Sequence, residues 1–489
     1  MKKDSQIIFW VIISTLYFAS RLINIQHFPI FTDEAIYSYW SQVALNDPQN
    51  RFISLEDGKQ PLFIWLAAIF QSFIPDPLIA TRLVSTFAGF GTLIGIYLLT
   101  KTLLNKNTAI LACILYLILP FTLLYDRLAL YDSLLTMFVV YSVFFTVKLV
   151  QNHNIKYSLL AGISIGLGMI TKSSANFFLY LMPVSLLISQ KKIIRWAAFA
   201  LMSFITAQTI YNSLRLSPLF YMVSRKNLEF IRSPQEVVKD PFQYFNSNAN
   251  AMASWLVTYI SLPLFLLFLF GLVLGYFKKE RSIIYLSMLI FVPFVAEVFF
   301  NKVLYPRFML FYFPFVIILI SYAAVWVKKS YQKFSIQLTS LFILLLLFPL
   351  SSSYKILTNP QDAKIADSDS GQYLNNWPSG FGVYEIRDFI KSQPQDEQIY
   401  IATEGTFGLL PFALQIYFYG RENIHVIGFW PVDQNKLPQQ VLDLAKTNKT
   451  YFIFNENQKE INNPNLRQIA KYQKGRGDSY MRLFEVTPK

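Results

Sequence analysis

MASWLVTYISLPLFLLFLFGLVLGYF, residues 252–277, runs without a charged side chain and stops at Lys278-Lys279-Glu280-Arg281. A helix rises about 1.5 Å per residue, so ~20 apolar residues cross a hydrocarbon core roughly 30 Å thick. The stretch therefore reads as a transmembrane helix with a basic end. Outward from it the pattern recurs, with spans expected at 7–25, 79–104, 107–124, 131–150, 157–172, 175–190, 194–213, 282–300, 304–327 and 334–352. The expected fold is a polytopic α-helical membrane protein with about eleven transmembrane helices.

Composition agrees. Of 489 residues, 54% are hydrophobic and only 15% charged, against roughly 25% charged in soluble domains. The net charge of +14 falls in small clusters between apolar runs: Lys2 and Lys3, Lys101 and Lys106, Lys148 and Lys156, Lys191 to Arg195, Lys278 to Arg281, and Lys328 to Lys333. Alternating sides along the spans puts every cluster on one face, which the positive-inside rule makes cytoplasmic. A nucleic-acid-binding face needs contiguous basic residues and is excluded. The lone cysteine, Cys113, rules out an intrachain disulfide or a Cys-based metal site. Lys2-Lys3 before an apolar run imitates a secretory signal, but no small-residue cleavage site follows, so it reads as a retained first helix with a cytoplasmic N-terminus.

The same parity places the loop 26–78, the turn 125–131, the loop 214–251 and everything after 353 on the opposite face. Residues 1–353 form the membrane domain, whose outer loop holds two short amphipathic pieces, 33–45 and 61–73, expected along the membrane surface. From 354 to 489 polar residues replace the leucine runs. Helices near 382–392, 407–419 and 437–447 alternate with strands at 399–402, 424–428 and 451–454, with a closing strand near 480–486. That alternation predicts a small extracytoplasmic α/β domain with largely parallel strands.

Function is sought on the outer face. Asp33-Glu34 follows the first span; adjacent helical residues point about 100° apart, so the two do not form an acid/base pair on one face, and one is expected to act and the other to bind. The bland alternative is that Thr32 or Asp33 caps the next helix. Gly58-Lys59-Gln60-Pro61 sets a lysine before a helix start, with interfacial snorkelling as its plain reading. Asp126-Arg127 and Asp132 stand at outer helix ends, where a charge also serves as an anchor. Lys172 in Thr171-Lys172 and Arg307 in Tyr305-Pro306-Arg307 run against the positive-inside rule. Four cations from four segments beside carboxylates suit a lipid-linked phosphate at the membrane boundary.

In order and common face, these motifs over residues 5–330 resemble the polyprenyl-phosphate-sugar-dependent glycosyltransferases of the C-type (GT-C) membrane fold, close to glycosyltransferase family 39, which includes protein O-mannosyltransferase and lipid A aminoarabinose transferase relatives. The resemblance implies a multi-pass enzyme of the cytoplasmic membrane that moves a hexose or pentose from a polyprenyl-phosphate donor to a hydroxyl of protein, lipid or cell-wall glycan. It implies Asp33 as general base, Glu34 as its support, and Lys59, Arg127, Lys172 and Arg307 as donor-phosphate ligands. Asp132 would orient Arg127 or bind sugar hydroxyls. Some relatives carry an acidic metal-binding residue just before the lysine; here that position is Gly58, a departure that argues against a divalent metal. No other cofactor is implied. His27 is the only histidine near these motifs and reads as an interfacial side chain.

A transporter or lipid flippase is the alternative, and would show ionisable residues or broken helices near the midplane. A receptor whose outer domain binds a ligand would not need so many spans. Deleting 354–489 separates these, since a transferase is expected to keep its donor site in the membrane part.

Overall fold

The computed structural model describes residues 3–394, 396–433, 435–455 and 460–488; Lys2 of the first basic pair and the C-terminal Lys489 lie outside them. The chain opens with α1 (Lys3–Leu22), α2 (Thr32–Asn46), α3 (Leu62–Gln71), α4 (Pro77–Leu103), α5 (Lys106–Ile118), α6 (Pro120–Tyr125), α7 (Tyr131–Asn152), α8 (Ile155–Met169) and α9 (Asn176–Tyr180). It continues through α10 (Ile193–Asn212), α11 (Tyr221–Phe230), α12 (Pro234–Lys239), α13 (Phe245–Ile260), α14 (Leu262–Phe277), α15 (Arg281–Phe300), α16 (Phe313–Ser330) and α17 (Ser335–Thr358).

Among the described residues, six helical segments are long and apolar enough to cross a membrane, or seven if the bent pair α13–α14 counts as one span. The expected count of about eleven is therefore not returned by length and apolarity alone. The other four expected spans are helical but shorter or broken, at Gln6–Leu22, Lys106–Ile118, Ile155–Met169 and Ser173–Leu187. Proline explains two of the departures, because it lacks an N–H and clashes with the preceding turn. Pro120 opens α6 and ends the straight run of α5. Pro263 lies in the first turn of α14, so the single span expected at 252–277 is two helices bent by 111° at Ser261. Asp76 and Asn105 cap α4 and α5 with side-chain oxygens, satisfying N–H groups that have no partner inside the helix.

After α17 come α18 (Asp367–Ser370), α19 (Val383–Lys391), α20 (Leu409–Phe418) and α21 (Gln439–Ala445). They accompany strands β1 (Ile399–Glu404), β2 (Ile424–Phe429), β3 (Lys449–Phe454), β4 (Leu466–Gln473) and β5 (Tyr480–Val486). The sheet order is β2-β1-β3-β5-β4, with β1 parallel to β2 and β3, and β5 antiparallel to β3 and β4. Alternation along the strands divides the core. Ile401, Tyr451, Ile453 and Leu483 join the cluster that continues into the membrane helices, while Ala402, Phe452, Phe454 and Phe484 pack with Leu437 and Val441 on the other face. The helices and strands expected here are present, but the sheet is mixed and not largely parallel, because β5 and β4 join it antiparallel. The strand that sequence reading missed, β4, is a half-exposed edge strand of mostly polar residues, with no apolar run to mark it.

The domains are joined more closely than a boundary at 353/354 suggests. The last membrane helix runs on to Thr358, and residues 366–381 form a strap over the end of the bundle where α2 begins. Phe31 bridges Ser379 backbone to backbone, Thr32 donates N–H and hydroxyl to the Pro378 carbonyl at 3.1 and 3.0 Å, and Tyr39 of α2 stacks on Phe412 of α20 at 4.5 Å.

Candidate active site

The link from α1 to α2 is held by two buried arginines. Arg127 donates to the carbonyls of Ser20, Arg21, Ile23 and Asn24 at 2.8–3.0 Å. Arg82 takes those of Ile25, Phe28 and Pro29. Arg82 also forms a two-pronged pair with Glu34, at 2.8 and 2.7 Å. Glu34 is wholly buried; it accepts further N–H bonds from Phe31 at 3.0 Å and Ala129 at 2.7 Å. The reach back to Phe31 is one half of a capping box. Neither Thr32 nor Asp33 caps α2, whose capping position is Phe31 with no side-chain bond.

With its neighbour so fixed, Asp33 in the first turn of α2 faces Arg307, whose guanidinium lies 2.8 Å from the carboxylate. Arg307 sits in the 3-10 turn Pro306–Met309 ahead of α16, over the rings of Tyr305 and Phe31 at 5.2 and 5.6 Å. A second pair stands beside the first. Lys172 lies just past the C-terminal end of α8, Asp132 in the first turn of α7, and the two meet at 2.7 Å. Because α7 and α8 are consecutive and antiparallel, the start of one and the end of the other share one end of the bundle. Lys172 lies over the Phe308 ring at 4.4 Å, next to Arg307.

Lys59 comes in from the outer loop. Gln60 donates to the Ser173 hydroxyl at 2.6 Å and the Leu62 N–H to the Ile170 carbonyl at 3.1 Å, tying this loop to the Thr171-Lys172 step. Lys172 thus lies within electrostatic range of both Lys59 and Arg307. Lys59 is half-buried over the Phe230 ring at 5.1 Å and makes no ion pair among the described residues. The opposite end of the bundle gathers the basic clusters: Ser282 donates to the Leu103 carbonyl, and His153 meets that of Lys191.

Asp33, Lys59, Asp132, Lys172 and Arg307 therefore gather into one charged cluster. Two sequence expectations are corrected. Arg127 does not reach it: the guanidinium is buried and occupied by the carbonyls at the end of α1, so it is a helix C-terminal clamp and not a phosphate ligand. Asp132 accordingly orients Lys172, not Arg127. His27 is exposed. Among the described residues, no three or more His, Cys, Asp or Glu side chains gather as a metal-holding group.

Sequence reading also missed the partner of Asp126 and two further groups. Arg21 and Asp126 pair at 3.4 Å in the core, where Asp126 also accepts from Tyr17, Tyr116 and Ser133. Arg82 lies in a span and carried a signal, since an ionisable residue there demands a partner. Asp369 on the strap is fully buried, accepts from Tyr125 and Tyr259, and lies within electrostatic range of Arg307 and Asp132. Burial pushes its carboxyl up to about 6. Nothing in Asp367-Ser368-Asp369-Ser370 distinguishes it from solvated polar sequence.

Residues 58–212 match the family model described as dolichyl-phosphate-mannose-protein mannosyltransferase. No curated protein matches the chain. Among solved structures, ArnT from Cupriavidus metallidurans bound to undecaprenyl phosphate is similar at 13% identity and a TM-score of 0.60, over 99% of this chain and 98% of that one. The archaeal oligosaccharyltransferase AglB from Archaeoglobus fulgidus, in complex with an inhibitory peptide and a dolichol-phosphate, is similar at 13% identity and a TM-score of 0.59, over 93% of this chain and 69% of that one. The chain has the GT-C fold, as its sequence resemblance led us to expect.

Proposed function

We propose that the protein is a glycosyltransferase that moves a sugar from a polyprenyl-phosphate-linked donor to an acceptor hydroxyl. The observation that carries this reading is the Asp33–Arg307 pair standing beside the Lys172–Asp132 pair and the unpaired Lys59. Support comes from the fold, which the chain shares with ArnT and AglB, each solved with a polyprenyl or dolichyl phosphate.

In the reaction the bond between the anomeric carbon and the phosphate oxygen breaks, and a bond from that carbon to the acceptor oxygen forms. Asp33 takes the acceptor's proton, for which hydrogen-bond reach suffices. The leaving phosphate is already an anion and needs no general acid. Fixed cations stabilise its growing charge, and Arg307, Lys172 and Lys59 are placed for that role. Arg307 serves twice, pairing with Asp33 and offering its remaining donors to phosphate. The donor is a hexosyl or pentosyl lipid, and the acceptor is a protein, lipid or cell-wall glycan. The protein lies in the cytoplasmic membrane with the basic clusters inside and the pocket and sheet domain outside.

The broken helix at Ser261 and the buried ionisable Arg82 in a span are features that favour a transporter. Substrate flux through liposomes without glycosylation would restore that alternative. The direct test supplies purified protein with a radiolabelled lipid-phosphate sugar and membrane acceptors. Transfer by the wild type and its loss in Asp33→Asn are expected; equal transfer by both removes Asp33 from the role of base.

A further inference from the structure

Beyond the two ion pairs, the pocket has a neighbour that the transfer chemistry above does not use. Asp369 arrives on the strap from outside the membrane bundle and is fully buried against α6 and α13. Its Oδ2 accepts the hydroxyl of Tyr125 at 2.6 Å and that of Tyr259. Its Oδ1 is equally buried and accepts nothing from any described residue. No cation among the described residues pairs with it; Arg307, within electrostatic range, is engaged with Asp33. Buried carboxylate oxygens without a donor are uncommon, and where they persist they ask for a reason. On α7, the hydroxyl of Tyr131 is also buried and without a partner, and Tyr131 lies within electrostatic range of Asp33. Partnerless polar atoms thus accompany both members of the Asp33–Arg307 pair.

An acceptor-only oxygen repels phosphate and welcomes a hydroxyl. A sugar joined to the phosphate through a single oxygen must lie next to the cations that hold that phosphate. We propose that Asp369 binds the sugar of the lipid-linked donor, its Oδ1 accepting a hydrogen bond from a sugar hydroxyl, with the Tyr131 hydroxyl as a second contact. This assignment rests on the donor reading above. It makes the strap after the last membrane helix a wall of the donor pocket, and it gives the choice of sugar to a segment outside the membrane domain. Losing a hydrogen bond to a charged group makes the expected cost at least tenfold in affinity.

The test measures binding of bare undecaprenyl phosphate, and of undecaprenyl phosphates carrying mannose, glucose or arabinose, to full-length protein in nanodiscs. Wild type, Asp369→Asn and Tyr131→Phe are compared. The wild type is expected to hold at least one sugar-bearing lipid more tightly than the bare phosphate. Asp369→Asn should lose that preference at least tenfold while holding the bare lipid within about twofold. Tyr131→Phe, which removes one oxygen, should lose a smaller part of the same preference, and it carries the test alone if Asp369→Asn does not fold. Unchanged preference in the folded variants overturns the assignment, as does an equal loss for bare and sugar-bearing lipids. Wild-type protein that holds the bare lipid but prefers no sugar-bearing one overturns it too. Wild-type protein that binds none of these lipids overturns the donor reading itself, a distinct result.

Discussion

The carboxylate of Asp33 and the guanidinium of Arg307 meet at 2.8 Å, although one follows the first membrane helix and the other precedes α16. Their side chains stay partly exposed, at 22% and 11%, so the pair is not sealed in the core. The pairing fixes the orientation of both side chains and leaves the guanidinium's other donors free to meet phosphate.

Asp33→Asn and Arg307→Lys should therefore fail differently. Losing the base should lower kcat by about 10²–10⁴ and leave the donor KM near its wild-type value. Replacing the planar guanidinium by a point charge should raise the donor KM, because one cation then serves both Asp33 and phosphate. Steady-state kinetics over donor concentration decides this; identical profiles for the two variants would contradict it.

The Lys172–Asp132 pair is half-sheltered, with side chains 27% and 5% exposed. Removing either partner should weaken bare polyprenyl-phosphate binding: Lys172→Met by loss of a cation, Asp132→Asn by loss of the orienting carboxylate. A double-mutant cycle should give a coupling of about 0.5–3 kcal/mol. A cycle that sums to zero would show the two acting independently.

Arg127 and Arg82 should behave as structural groups. Arg82→Met leaves Glu34 buried without its partner and should cost about 3–5 kcal/mol, read as a large fall in thermal-unfolding midpoint. Arg127→Met frees four carbonyls and should also destabilise, while the folded fraction keeps its donor KM. A selective donor KM increase at Arg127 would return it to the phosphate site.

Donor binding should depend on Asp369 ionisation. Facing it are Tyr125 of α6, Tyr259 of α13, Arg307, Asp132 of α7 and Tyr373 of its own strap. Burial raises its carboxyl from 3.8 to about 6. Since the hydrogen-bond acceptor is the ionised form, affinity for the sugar-bearing lipid should rise as pH increases through about 6. In Asp369→Asn that rise should vanish. The linked effect on stability has the opposite sign: the folded state binds more protons between 3.8 and 6, so this group's contribution declines across that window as pH rises.

In the sheet domain, Lys474 is fully buried, donating to the Trp377 carbonyl at 2.8 Å and to Asn455, with Glu404 near enough to act through its charge. Burial lowers its ammonium from 10.5 to about 7, partly offset by Glu404. The unfolded chain then binds more protons between about 7 and 10.5, so stability should increase with pH across that interval. Lys474→Met should flatten this slope in pH-resolved thermal unfolding. An unchanged slope would locate the effect elsewhere.

These sites were legible to different depths. Asp33, Lys59, Lys172 and Arg307 announce themselves, because cations on the outer face break a topological rule and a carboxylate beside them completes a chemistry. Arg127 announced itself in the same way and was misread. Whether an arginine at a helix end meets a phosphate or the carbonyls of a neighbouring helix depends on which chain lies beside it. Deleting 354–489 illustrates the same limit. It was expected to spare the donor site, yet the strap it removes holds Thr32 through Pro378 and brings Asp369 beside Arg307.

By itself the sequence determined what its solvent demands: apolar runs that cover a bilayer, basic clusters at alternate ends, and a polar tail whose alternating helices and strands make a sheet. Those features follow from the period and length of local patterns. Only the tertiary structure decided the bend at Ser261, the partners of Arg82 and Arg127, and the burial of Asp369 against Tyr125 and Tyr259. Charges taken out of water must find partners, and the partner is whichever chain segment packing brings within about 3 Å.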